Sequence, residues 1–295
     1  MSKHSYVILT LVGVLGLLFV LISFREYKSR QINSDQTYLK AKYFSDNDFY
    51  EGKIKAESVK SEYSGNKIYG GIIPHHLLPG YILSDFFTKL ALQNPKRIIL
   101  IGPNHYEIGG EKPITSIVNW ETKFGKLDSD YESIDSLIKE GVLAQNDNVA
   151  LSEHSIGGIL HYIKYYIPDA KVVPVILSSA TTPEEISSLS ESIHKYIDDD
   201  TVVIASVDFS HYLSNPEAQI NDKVTKKIMQ LFDYENLYRL NNDYVDSPQS
   251  IGLLLNLMQR KDAENLEFLF NTNSGEILNN DTIQTTSYFS VFFTK

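Results

Sequence analysis

Three uninterrupted apolar runs constrain the fold of this chain more than anything else in it: Arg97–Ile101 (RIILI), Val172–Leu177 (VVPVIL) and Val202–Val207 (VVIASV). A strand with no polar alternation suits burial on both faces, the environment of a parallel sheet covered by helices. Between the runs lie stretches with helical spacing of apolar residues, at Tyr81–Leu92, Ser133–Glu140 and Ser155–Tyr166. Thr182-Pro183-Glu184-Glu185 opens another helix, with a threonine cap, proline at the first position and early acids. Further helices are expected at Pro216–Phe232, Glu235–Leu240 and Ser250–Arg260, and Thr285–Thr294 is rich in β-formers. The alternation predicts a single α/β domain over residues 67–295, its mixed, largely parallel sheet flanked by helices.

Ahead of this domain, Tyr6–Phe24 is an apolar run free of charge and long enough to cross a bilayer as a helix. A cleaved signal peptide is the competing reading. Its apolar region would be shorter, however, and no small-residue cleavage pattern precedes Arg25-Glu26. Residues 1–30 therefore read as an N-terminal membrane anchor, and residues 31–66 as a polar linker with little periodicity. Arg25, Lys28 and Arg30 outnumber Lys3 across the run, which by a literal count places the domain in the cytoplasm. The very short N-terminal flank and the absence of cysteine point the other way. The expectation is a single-pass membrane protein with an extracytoplasmic domain.

Composition removes several functional classes. The net charge of −10 lacks the basic footprint of a nucleic-acid binder, so no nucleic-acid partner is expected. With no cysteine there is no disulfide, no thiolate metal site and no cysteine nucleophile.

What remains is histidine. Three short apolar segments end in a turn that carries one: Ile72-Ile73-Pro74-His75, Ile101-Gly102-Pro103-Asn104-His105 and Val207-Asp208-Phe209-Ser210-His211. Ligands of open α/β sheets bind beyond the carboxyl ends of the strands. Imidazoles gathered there suit a borderline metal or acid/base work. A single loop histidine is more often structural, but three at repeated strand ends favour a site. His4 and His194, in the anchor flank and on a polar helix face, read as bystanders, and His161 as a packed helix residue.

The motifs Gly71-Ile72-Ile73-Pro74-His75, Ile101-Gly102-Pro103-Asn104-His105, Glu153-His154-Ser155-Ile156, Asp208-Phe209-Ser210-His211-Tyr212 and Ile251-Gly252 together resemble the MEMO family. That family is protein B of the AmmeMemoRadiSam system and shares its fold with class III extradiol (LigB-type) dioxygenases. The resemblance places His75 and His105 at the family's two metal-binding histidines. The third position, a cysteine in MEMO proteins, falls on Asp246, six residues before Gly252. The departure moves the set towards the two-histidine, one-carboxylate triad of non-haem Fe(II) oxygenases. Asp246 could instead cap the helix that begins near Ser247-Pro248. His211 matches the acid/base histidine of the dioxygenases, with Asp208 behind it, although an Asx turn also explains Asp208. Glu153 and His154 match a motif that lines the pocket and binds the cofactor or ligand. His76 leaves a register ambiguity, because extra residues separate His75 from Gly80-Tyr81.

The resemblance thus implies a divalent metal, Fe(II) foremost, with copper, manganese or zinc as alternatives. The function expected is a membrane-anchored non-haem iron redox or dioxygenase-type enzyme acting on a small molecule. The alternative is a non-catalytic protein that holds metal or a peptide in the same pocket.

Overall fold

The computed structural model describes residues 38–110 and 112–295, and residues 39–295 form one compact unit. Its strands are β1 (Tyr38–Lys40), β2 (Gly70–Ile73), β3 (Arg97–Pro103), β4 (Ile114–Thr115), β5 (Asn119–Thr122), β6 (Gly125–Leu127), β7 (Ala144–Gln145), β8 (Lys171–Leu177), β9 (Thr201–Ser206), β10 (Phe209–Leu213), β11 (Asn265–Asn273) and β12 (Thr285–Thr294). β1, β5 and β6 make a small sheet. The main sheet runs β10-β12-β2-β9-β3-β8-β4-β7, with β11 paired to β12. Its centre, β2-β9-β3-β8, is parallel, whereas β12 runs antiparallel to β2, β10 and β11.

The central strands are apolar over most of their length because both faces are covered. In β3, Ile99 and Ile101 join one core and Ile98 and Leu100 the other; in β9, Val203 and Ala205 alternate with Val202 and Ile204 in the same way. Helices Pro183–His194 and Pro248–Arg260 cover the first face, and Gly80–Ala91 and His154–Tyr166 the second. The expected opening of the Pro183–His194 helix is present as a complete capping box, Thr182 with Glu185.

Two expectations need correction. The membrane-crossing helix at Tyr6–Phe24 lies outside the described residues, and among these no helix is long and apolar enough to cross a membrane. The fold described is thus a mixed α/β domain with no transmembrane helix, and it gives no support to a single-pass membrane localisation. The stretch read as a linker, residues 31–66, also contains the helix Asp46–Ser58, capped by Ser45. That helix escapes a search for apolar spacing because its buried face is Phe49, Gly52 and Ala56, two of them small. Gly52 lies so close to the Gly80 backbone that no Cβ would fit.

Candidate metal centre

β2, β9 and β3 lie side by side and parallel, so their carboxyl ends open onto one edge of the sheet. His75 follows β2, Asp208 follows β9 and His105 follows β3. Asp246 arrives from far along the chain and is fastened by the backbone. Its N–H donates to the Asp208 carbonyl at 3.1 Å, and its Oδ2 accepts the Asp208 N–H at 3.2 Å. An antiparallel bridge between Phe209 and Val245 supports the same contact. Ser247, not Asp246, caps the helix that follows, its hydroxyl accepting from the Ser250 N–H.

The two histidine rings are oriented from behind. A carbonyl can only accept, so His75 Nδ1 donates to Ser206 O at 3.1 Å and Nε2 is left to face the pocket. His105 Nδ1 is bound by Glu153 Oε1 at 2.7 Å, while Glu153 Oε2 takes the His105 N–H at 2.9 Å. Both Nε2 atoms then turn towards Asp246 Oδ2, at 3.2 Å from His75 and 3.7 Å from His105. Asp246 Oδ1 is buried and has no hydrogen-bond partner. A buried carboxylate oxygen without a donor is costly unless something cationic meets it. This donor set, two neutral-capable nitrogens and a carboxylate with one unpartnered oxygen, fits a divalent ion.

The electrostatics agree. Burial works against an imidazolium at His75, yet the carboxylates of Asp208 and Asp246 outweigh it and hold His75 up at about 10. Burial likewise opposes charge on Asp246, but His75, His105 and His211 hold it well below the usual carboxylate range. His105 is also raised, with Asp246 and Glu153 overcoming burial.

His154 stacks on His105 with ring centroids 4.0 Å apart and meets His75 edge-on at 5.0 Å. Donor atoms of His75, His105 and His154 all lie within 4.8 Å of one another, so the three histidines can hold a metal ion. Burial and its two neighbouring histidines push His154 down to about 4, which leaves one ring nitrogen with an available lone pair near neutrality. His154, expected as a pocket-lining residue, thus stands beside Asp246 as a second choice of third donor. Glu153, expected alongside it, is wholly buried and faces His105. Its carboxylate also caps the His154–Tyr166 helix.

Asp208 braces His75 rather than His211. Its Oδ1 accepts the His75 N–H at 3.1 Å, and its Oδ2 is 3.5 Å from His75 Nε2. His211, in β10, feels both Asp246 and Asp208, but burial dominates and lowers it; its Nδ1 is buried with no partner. It is therefore neutral near neutrality, with a free nitrogen. His76 is exposed and bonds Tyr288 through Nδ1 at 2.5 Å, and it is His75, not His76, that joins the histidine cluster. His161 is buried among Phe44, the Lys123 N–H and the Lys42 carbonyl, and His194 stands apart at the end of its helix.

A family profile described as "Memo-like protein" matches residues 43–292. The chain belongs to the MEMO family. Archaeal MEMO1 family proteins align with it along most of their length. The one from Pyrobaculum arsenaticum is 27% identical over 240 residues, covering 78% of this chain and 84% of its own. That from Caldivirga maquilingensis is 28% identical over 237 residues, covering 76% and 82%. A crystal structure of an uncharacterized Escherichia coli K12 protein superposes with a TM-score of 0.52 at 11% identity. It covers 75% of this chain and 99% of that one, a likeness of fold alone. Within this MEMO chain the sequence motifs pointed to residues that converge at this sheet edge, whereas the Ser206 carbonyl that orients His75 had no signal, being backbone.

Proposed function

We propose that this MEMO protein holds one divalent ion, iron foremost, between His75, His105 and Asp246, and that it performs redox or dioxygenase-type chemistry on a small molecule. The observation that carries the proposal is Asp246, with Oδ2 within 3.2 Å and 3.7 Å of the two histidine Nε2 atoms and Oδ1 buried without a partner. Two imidazoles and a carboxylate leave coordination positions open, and iron in such a set supplies redox and oxygen chemistry. Ser206 and Glu153 orient the ligand rings, Asp208 braces His75, and His211 takes a proton from a bound hydroxyl.

His154 favours a second reading. A third imidazole beside the first two suits copper or zinc, and a site that only holds a metal needs its ligands but no acid/base residue. In that reading the protein holds metal, or a peptide, without catalysis.

One experiment separates the two. The full chain is loaded anaerobically with Fe(II), assayed for bound metal and then exposed to oxygen with catechol as a probe diol. Stoichiometric iron with oxygen uptake above that of free Fe(II) supports the enzyme. Tight zinc or copper binding, with weak iron binding and no uptake, would make the holder the better account.

A further inference from the structure

Asp222 is a carboxylate with no part in the site just described, yet it is only 2% exposed. It sits on the helix Asn215–Gln230 and reaches into the sheet. Ser210 Oγ and Ser287 Oγ both donate to its Oδ1, at 2.8 Å and 2.5 Å, and Asn271 Nδ2 donates to its Oδ2 at 2.8 Å. Those three donors come from β10, β12 and β11 respectively. Burying a carboxylate is expensive even when it is well bonded, and a core of apolar side chains would join helix to sheet more cheaply.

The place where it acts is informative. β10 is irregular against β12, with register shifts on both sides of His211, and Tyr212 adopts a left-handed backbone at φ 60°. On the other side, Ser210 and His211 donate their N–H groups to Tyr244 and Asn242 in the loop that leads to Asp246. The ladder pairs His211 with Thr286 but is broken on both sides of that pair, so regular pairing does not carry its position along β10. The side chain next to that residue, Ser210, is tied down by Asp222.

We propose that Asp222 is a positioning residue for His211, fixing β10 through Ser210 so that the imidazole stays aimed at the metal pocket. This rests on the reading of His211 as the acid/base group. Asp222 touches neither metal nor substrate and acts only through the strand. The arrangement needs two acceptor oxygens, because three donors converge on one carboxyl group.

Asp222→Asn tests the idea, since it keeps the shape but leaves one acceptor oxygen where three donors converge on two, and adds an amide donor among them. Asn271→Asp in the same chain reverses the polarity of its contact with residue 222 and restores a complementary pair. In the full-length protein, the ring 15N and 13C resonances of His211 should shift and broaden in Asp222→Asn, while those of His75 and His105 stay in place. In Asp222→Asn/Asn271→Asp they should return. Zinc content, measured with the metal alone, should match that of the wild type in both variants. Any oxygen uptake with catechol should fall in Asp222→Asn, with no further loss when it is combined with His211→Ala.

His211 resonances that do not move in a folded Asp222→Asn protein would overturn the positioning role. So would equal perturbation of all the histidines, or a melting temperature that drops and is not accompanied by a His211-specific shift, since either marks a purely structural clamp. An effectless His211→Ala is a different outcome: it would remove the acid/base reading and leave the resonance result standing. If Asp222→Asn does not fold, Ser210→Ala decides instead, because it removes only the tie between Asp222 and β10: a His211-specific resonance shift supports the positioning role, and unmoved His211 signals overturn it.

Discussion

At the scale of single residues, the distinction that matters is between Asp246 and its neighbour Ser247. One faces two imidazoles and the other caps a helix, so their variants should fail differently. Asp246→Ala should abolish tight iron binding while Asp246→Cys retains a metal but shifts preference towards zinc or copper, as softer donors do. Ser247→Ala should cost about 1 kcal/mol of stability and leave metal affinity unchanged. Metal titrations with calorimetric melts check both, and equal metal affinity in Asp246→Ala and the wild type would refute the ligand role. His211→Ala separates proton handling from binding. It should keep its metal and lose about 10²–10⁴-fold in any turnover, whereas loss of metal would make His211 a ligand.

At the scale of elements, the strands that position the site were the most legible, because RIILI, VVPVIL and VVIASV can be satisfied only between two covered faces. The turns that follow them were legible for the same reason, as they mark where the apolar requirement stops. Helix starts written in local chemistry were legible too. Thr182→Ala should remove the cap of the Pro183–His194 helix and cost about 1 kcal/mol, read as a lower denaturation midpoint. Elements whose reasons lie elsewhere in the fold were not visible. β10 exists because β12 and the residue 242–246 loop pair with it, and β11 because β12 offers it an edge. The Asp46–Ser58 helix buries glycine and alanine rather than a stripe of large residues. Within the site, His154 read as a pocket residue because its approach to His105 depends on Glu153 gripping both the His105 ring and the start of the next helix.

At the scale of the whole molecule, the site's charges set how stability responds to pH. Burial holds His154 and His161 at about 4, whereas in an unfolded chain both titrate near ~6.5. Between those values the unfolded chain binds more protons, so the metal-free protein should lose stability as pH falls from about 6.5 towards 4. His75 acts in the opposite direction. Its folded value of about 10 lies above its unfolded one, so its contribution is complete below about 6.5 and disappears as pH rises to about 10. Melting temperatures of the metal-free protein across that range should fall on both sides of neutrality, and a flat profile would contradict the charge arrangement. Metal affinity should climb with pH over the upper window, since the ion must displace the His75 proton. The sheet order also has a consequence for how the protein is made. β12 is the last strand of the domain, yet it lies inside the sheet, between β2 on one side and β11 on the other. A nascent chain leaving the ribosome carries His75 and His105 long before Asp246, and β2 keeps an open edge until residue 294 has been synthesised. Assembly of the candidate site is thereby deferred until β12 has been made, and a chain stalled before it carries the two histidines without the completed sheet that brings Asp246 to them.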